Sequence, residues 1–152
     1  MIALDHVSVR DAPASLLRTG HRILLDRCYI EVGHEGEPLV FLRPDDIHTS
    51  ARLLAREPRP YTGRDGEWVD VALAGPVALT RRVAPEDVAR DWPPPLPGAP
   101  RFAEVRLRGD GAALLDPLEA LGGPPPELVV DHAPGEPLRV TSVVLTGGVR
   151  VL

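Results

Sequence analysis

VALAGPVAL (71–79) and VVLTGGVRVL (143–152) are the stretches whose reading decides the fold. Each alternates apolar with small or polar residues, breaks at glycine and resumes the alternation, which is the pattern of a half-buried β-hairpin. Val71, Leu73, Gly75, Val77 and Leu79 correspond to Val143, Leu145, Gly147, Val149 and Val151 at a constant offset of 72. Independent strands rarely keep one offset through five positions and a turn, so the chain is read as carrying an internal repeat. VSVR (7–10), VFLR (40–43) and VRLR (105–108) each close a strand with arginine and mark three starts.

Outward from these stretches, residues 2–10 read as a strand and 11–20 as a short helix closed by Gly20. Residues 22–32 read as a strand broken near Asp26 and Arg27, and 37–43 as another. Pro44 and Asp45 open a helix that places Ile47, Ala51 and Leu54 on one face. A hairpin turns about Gly75 and Pro76. PEDVARD (85–91) offers one helical turn, and DWPPPLPGAP (91–100) is a semi-rigid connector that cannot continue a helix. Beyond it come a strand (101–108), a helix within 112–123, a strand (127–132) and the closing hairpin. That helix starts either at its apolar run or at Asp116-Pro117, with aspartate as N-cap and proline at N1. The fold expected is α+β, with repeated βαβββ units and curled mixed β-sheets. Residues 1–83 hold two units (about 1–36 and 37–83), 84–100 a Pro-rich linker and 101–152 a third unit, in one compact body.

The 152 residues, 43% hydrophobic, suffice for one core. All 17 basic residues are arginine, and Lys, Asn and Gln are absent beside 18 Pro and 14 Gly, a usage typical of a high-GC bacterial genome. Without lysine, Schiff-base chemistry, a phosphate-loop GK[ST] and a Ser-Lys dyad are excluded. A net charge of −5 with dispersed arginines argues against nucleic acid and against membrane surfaces. The N-terminal residues lack a basic flank and an apolar core of the signal-peptide kind, and no run is long enough to span a bilayer, so a cytoplasmic location is expected. The lone Cys28, in an apolar strand, reads as a buried small hydrophobe.

LDHVSVRD (4–11), FAEVRLRGDGAALLDPLEALGG (102–123) and VVLTGGVRVL (143–152) resemble the vicinal oxygen chelate superfamily of glyoxalases, ring-cleaving dioxygenases and bleomycin-resistance proteins. The resemblance implies paired βαβββ units enclosing a cleft, with one metal ligand from the first and one from the last strand of each unit. His6 and Glu31 match those positions in the first unit, and would act as ligands or as a general base with its carboxylate partner. Leu39 and Ala78 in the second unit offer none. In the third, Glu104 aligns with His6, while Arg150, or Leu152 in a register slipped by two, aligns with Glu31. The site implied is therefore His6 and Glu31, with Glu104 if the first and third units share a cleft. A divalent metal is implied only if that set is completed. Arg150 either takes the place of the cation or lies on the outer face of its strand.

Tyr61 and Trp68 flank TGRDGE and either border a ligand cleft or pack structurally. Arg64, Asp65, Arg81 and Arg82 are anion contacts or solvated surface. GHEGE (33–37) and PDDIH (44–48) read as a polar turn and a helix N-terminus rather than metal sites, and His132 as a strand end. No serine lies in a GxSxG context. The function expected is binding of a small organic molecule without a complete metal site. Against it stand a metal-dependent lyase or dioxygenase, and a sequestering or assembly module acting through sheet edges. An odd number of units leaves a sheet unpaired, so a homodimer is expected.

Overall fold

Period-two alternation of apolar residues builds ten strands in the computed structural model, which describes residues 1–63, 66–83 and 92–152. They are β1 (Ala3–Val9), β2 (Arg22–Leu25), β3 (Cys28–Val32), β4 (Leu39–Arg43), β5 (Arg59–Gly63), β6 (Gly66–Ala74), β7 (Val77–Val83), β8 (Phe102–Gly109), β9 (Leu128–His132) and β10 (Arg139–Leu145). Among the described residues two helices join them, α1 (Ile47–Leu54) and α2 (Gly111–Ala120). The class is α+β, as expected, with two mixed sheets ordered β2-β3-β1-β4-β7-β6-β5 and β10-β8-β9. No helix among the described residues is long and apolar enough to cross a membrane.

Three copies of one unit are not what the topology displays. From β4 to β7 the chain runs strand, helix, three strands, and β7 returns parallel to β4. From β1 to β3 there is no helix: Leu16 N donates to Pro13 O in a single turn, Ala12 and Leu16 pack against the core and Leu17 is 88% exposed, so the expected helix over 11–20 is replaced by one turn that buries the little apolar surface the stretch has. In the last stretch α2 delivers β9 directly beside β8 in parallel, which leaves β10 to pair with the other edge of β8. PEDVARD (85–91) lies outside the described residues.

Local chemistry explains the boundaries. The break between β2 and β3 falls at Asp26-Arg27, with Arg27 at φ 59. Asp46 caps α1, its Oδ1 accepting from His48 N and Thr49 N at 3.0 Å each. α2 begins at Gly111 and runs through Pro117, and His132 Nδ1 accepts from Gly111 N at 2.9 Å, so His132 caps the start of α2. At the end of the chain Leu145 N donates to Val149 O and Val151 N to Val143 O, both at 2.8 Å. Val71 and Leu79 are likewise cross-strand partners, so the offset of 72 maps one hairpin onto the other even though the surrounding topologies differ.

One face of the seven-stranded sheet carries Val7, Ile30, Val40, Leu42, Val71 and Leu79. It forms one continuous core with Val105, Leu107, Leu114, Leu118, Val143 and Leu145 from the second sheet and α2. Each such side chain contributes about 1.5–3 kcal/mol on burial. The connector is tied to the β2–β3 turn: Arg27 N donates to Pro94 O, Asp26 N to Pro100 O, and Leu96 N to Asp26 Oδ1. Those bonds carry Trp92 to the other face of the large sheet, where it meets Tyr29.

Candidate functional site

Register assembles the site. His6 pairs with Tyr29 on β3 and with Phe41 on β4, and cross-strand partners share a face. The His6 imidazole is stacked between both rings, 4.4 Å from Tyr29 and 4.3 Å from Phe41, with interplanar angles of 12° and 14°. Trp68 closes a third side at 5.9 Å, tilted by 55°. His6 Nδ1 lies 2.6 Å from Asp5 Oδ2, and the other oxygen of Asp5 accepts from Arg43 Nη1 at 2.8 Å. A carboxylate held by an arginine is an acceptor, so Nδ1 is the donor and the tautomer of His6 is set. His6 is 2% exposed, sealed by its ring neighbours.

Beside this cluster Thr80 Oγ1 donates to Asp70 Oδ1 at 2.7 Å across β6 and β7. Burial raises the Asp70 carboxyl above the usual carboxylate range, outweighing the hydrogen bond from Thr80 and the neighbouring His6. Tyr61 stacks on its cross-strand partner Trp68 at 6.5 Å and stays 40% exposed. Burial, and then the charge of Asp70, raise its phenol. Tyr61 and Trp68 also line an open cavity of about 350 Å³ with Pro60, Glu67 and Val83.

At the other end Trp92 lies 5.3 Å from Tyr29, tilted by 56°. Its indole sits between two guanidinium groups, Arg22 at 4.5 Å and Arg82 at 4.7 Å, and these reach on to Tyr29 and Trp68. Tyr29 Oη and Trp92 Nε1 are buried and have no hydrogen-bond partner among the described residues. Burial also pushes the Tyr29 phenol well above its ordinary range.

Of the residues expected from sequence, His6, Tyr61 and Trp68 come together here. Glu31 is on the same face, but it pairs with Ser8 and Arg22, one step along from His6. Glu104 is elsewhere: it belongs to the second sheet, where its Oε1 accepts from Arg106 Nε at 2.9 Å, and Arg106 also reaches Asp131. Of the two places expected for Arg150, the structure shows the outer one. It is exposed and bridges to Val144, itself the partner of Glu104, so its guanidinium lies on the second sheet and does not fill a cation position beside His6. His6, Glu31 and Glu104 therefore do not converge, and among the described residues no group of three His, Cys, Asp or Glu side chains is arranged to hold a metal ion. Arg64 and Asp65 lie outside the described residues. Cys28 is buried, and burial pushes its thiol up to about 11, which removes it as a nucleophile.

Sequence reasoning missed Tyr29, Asp70, Arg22 and the place of Trp92. Tyr29 was within reach: it lies two residues before Glu31 in CYIEV, hence on the same face. Comparison with protein-family models, curated proteins and solved structures finds no match to this chain.

Proposed function

We propose that the chain binds a small organic molecule on the aromatic face of its large sheet, without a metal centre, as a divergent relative of the vicinal oxygen chelate proteins. One observation carries this reading: Tyr29, Phe41, Trp68 and Trp92 converge with two arginine guanidinium groups around two buried hydrogen-bonding atoms that no described residue satisfies. The run of strand, helix and three strands from β4 to β7 supports the kinship. His6 serves as the rigid floor of the site rather than as a base, because its Nδ1 is taken by Asp5 and the whole residue is only 2% exposed.

Both tryptophans of the chain lie in the site, so their indole N–H resonances report on it alone. Titration of the ¹⁵N-labelled protein with small aromatic compounds should shift at least one of the two in a saturable way. If no compound moves either resonance, the reading fails. Stoichiometric binding of Zn²⁺ or Mn²⁺ in calorimetry would overturn the metal-free part. The homodimer and the cytoplasmic location are part of the same proposal, and the oligomeric mass in solution tests the first.

A further inference from the structure

Tyr29 is fully buried, yet its hydroxyl has no partner among the described residues. A hydroxyl taken from water and left unpaired is a standing cost, and native folds rarely retain one without use. Beside it, Trp92 Nε1–H is a second buried donor with no acceptor among the described residues. The two rings are 5.3 Å apart and tilted by 56°, not stacked, whereas His6 lies nearly flat against Tyr29.

The two tryptophans are held differently. Trp68 sits within β6, paired to Tyr61 on one side and Arg82 on the other, and is 5% exposed. Trp92 belongs to no strand or helix and stands just ahead of the connector's anchors, which begin at Pro94 and continue through Leu96 and Pro100. Trp92 can therefore leave Tyr29 by releasing its contacts with Arg22 and Arg82 while the connector stays fastened.

Resting on the function proposed above, we propose that Trp92 is a place-holder for a planar heteroaromatic molecule bearing a hydrogen-bond acceptor, which replaces the indole against Tyr29 and accepts from the Tyr29 hydroxyl. The exchange satisfies both orphan donors at once, since Tyr29 Oη–H gains the acceptor of the ligand and Trp92 Nε1–H gains water. The flat wall of His6 and Phe41 behind Tyr29 selects a planar shape. The buried donor selects the acceptor, because an isostere without one leaves the hydroxyl unpaired.

Quinoline and naphthalene separate these points, having the same shape with and without a ring-nitrogen acceptor. Each is titrated into ¹⁵N-labelled wild-type protein, Tyr29→Phe and Trp68→Phe, the last leaving only the Trp92 indole signal. Quinoline should bind wild type about tenfold more tightly than naphthalene, and Tyr29→Phe should erase that difference. In Trp68→Phe the Trp92 Nε1–H should gain rapid exchange with water as quinoline saturates. Equal affinities in wild type, or an undiminished preference in Tyr29→Phe, would overturn the role of the acceptor. A Trp92 signal that stays protected while the Trp68 signal shifts would overturn the displacement and leave the binding function standing. Silence of both indoles toward every aromatic compound would instead sink that function.

Discussion

The side chains of Asp5 and His6 meet, Oδ2 to Nδ1 at 2.6 Å, although the residues are neighbours on one strand. Adjacent residues of a regular strand point to opposite faces. The β1–β4 register shifts between Leu4 and His6, so Asp5 is the extra residue of a bulge, and the bulge turns both side chains to one side. Asp5 there holds the imidazole and takes Arg43 from the neighbouring strand.

Removing that carboxylate strands two donors at once. Asp5→Ala should cost about 2–4 kcal/mol, because Asp5 is 3% exposed and His6, packed between two rings, cannot turn to water in its place. Asp5→Asn keeps one acceptor oxygen and should lose roughly half as much. Urea denaturation with an unchanged slope measures both. A cost for Asp5→Ala within about 0.5 kcal/mol of zero would show that the pair does not hold β1 to β4.

Tyr29→Phe should act in the opposite direction. Its hydroxyl is buried without a partner among the described residues, and the ring contacts with His6 and Trp92 survive the substitution. Stability in the absence of ligand should rise by about 1 kcal/mol. A gain in stability together with the loss of the quinoline preference is the signature of a residue kept for binding rather than for folding. A loss of stability would mean that the hydroxyl is satisfied in solution.

Asp70 supplies a pH dependence whose sign is fixed by burial. Its raised pKa means that the folded state holds the carboxyl proton more tightly than the unfolded chain does. The resulting stability is fully present below the usual carboxylate pKa and is lost as pH rises through the raised value, so above it the buried Asp70 weighs against the fold. Asp70→Asn retains an acceptor for Thr80 without the charge. Its denaturation midpoint should lie above wild type at pH 7, and the two should converge as pH falls below the usual carboxylate range. A gap that widens toward acid would contradict the desolvated carboxyl.

Strands and hairpins are legible because period-two alternation is local, as in VALAGPVAL. The start of α1 is legible to within a residue or two, since PDDIH marks a helix N-terminus although the cap is Asp46 rather than the Pro44-Asp45 pair. The absence of a helix over 11–20 is not, since Leu16 and Leu17 are adjacent and the fold packs Leu16 against the core while leaving Leu17 exposed. The Asp5 bulge is not legible either, because whether a strand residue is paired or extra is decided by its partner strand. The same holds for the site. His6, Tyr61 and Trp68 announce themselves by residue type, whereas Trp92 reaches Tyr29 only through backbone bonds from the connector to Asp26 and Arg27. Glu104 joins His6 only if the first and third stretches share a cleft. Its β8 is the central strand of a separate sheet, and Glu104 is satisfied there by Arg106.

Leu138 joins the two sheets, and glycines make room for it from both. A Cβ on Gly75, in the β6–β7 turn, would come within 2.9 Å of Leu138 Cβ. A Cβ on Gly109, at the end of β8, would come within 2.6 Å of both Leu138 Cα and Pro137 O. Gly109 also has φ +142, so alanine there meets backbone strain together with a clash against main-chain atoms that cannot rotate away. Gly147, at φ +87, has nothing within 4 Å of the same position and isolates the backbone term. Gly109→Ala should therefore cost about 3–5 kcal/mol, and Gly147→Ala about 1 kcal/mol. Because β8 is the central strand of the small sheet, the Gly109 variant should also speed amide exchange in β8 and β10 before the Tyr29 face is affected. Equal costs at the two glycines would mean that the β9–β10 connection yields, and that Leu138 does not fix one sheet against the other.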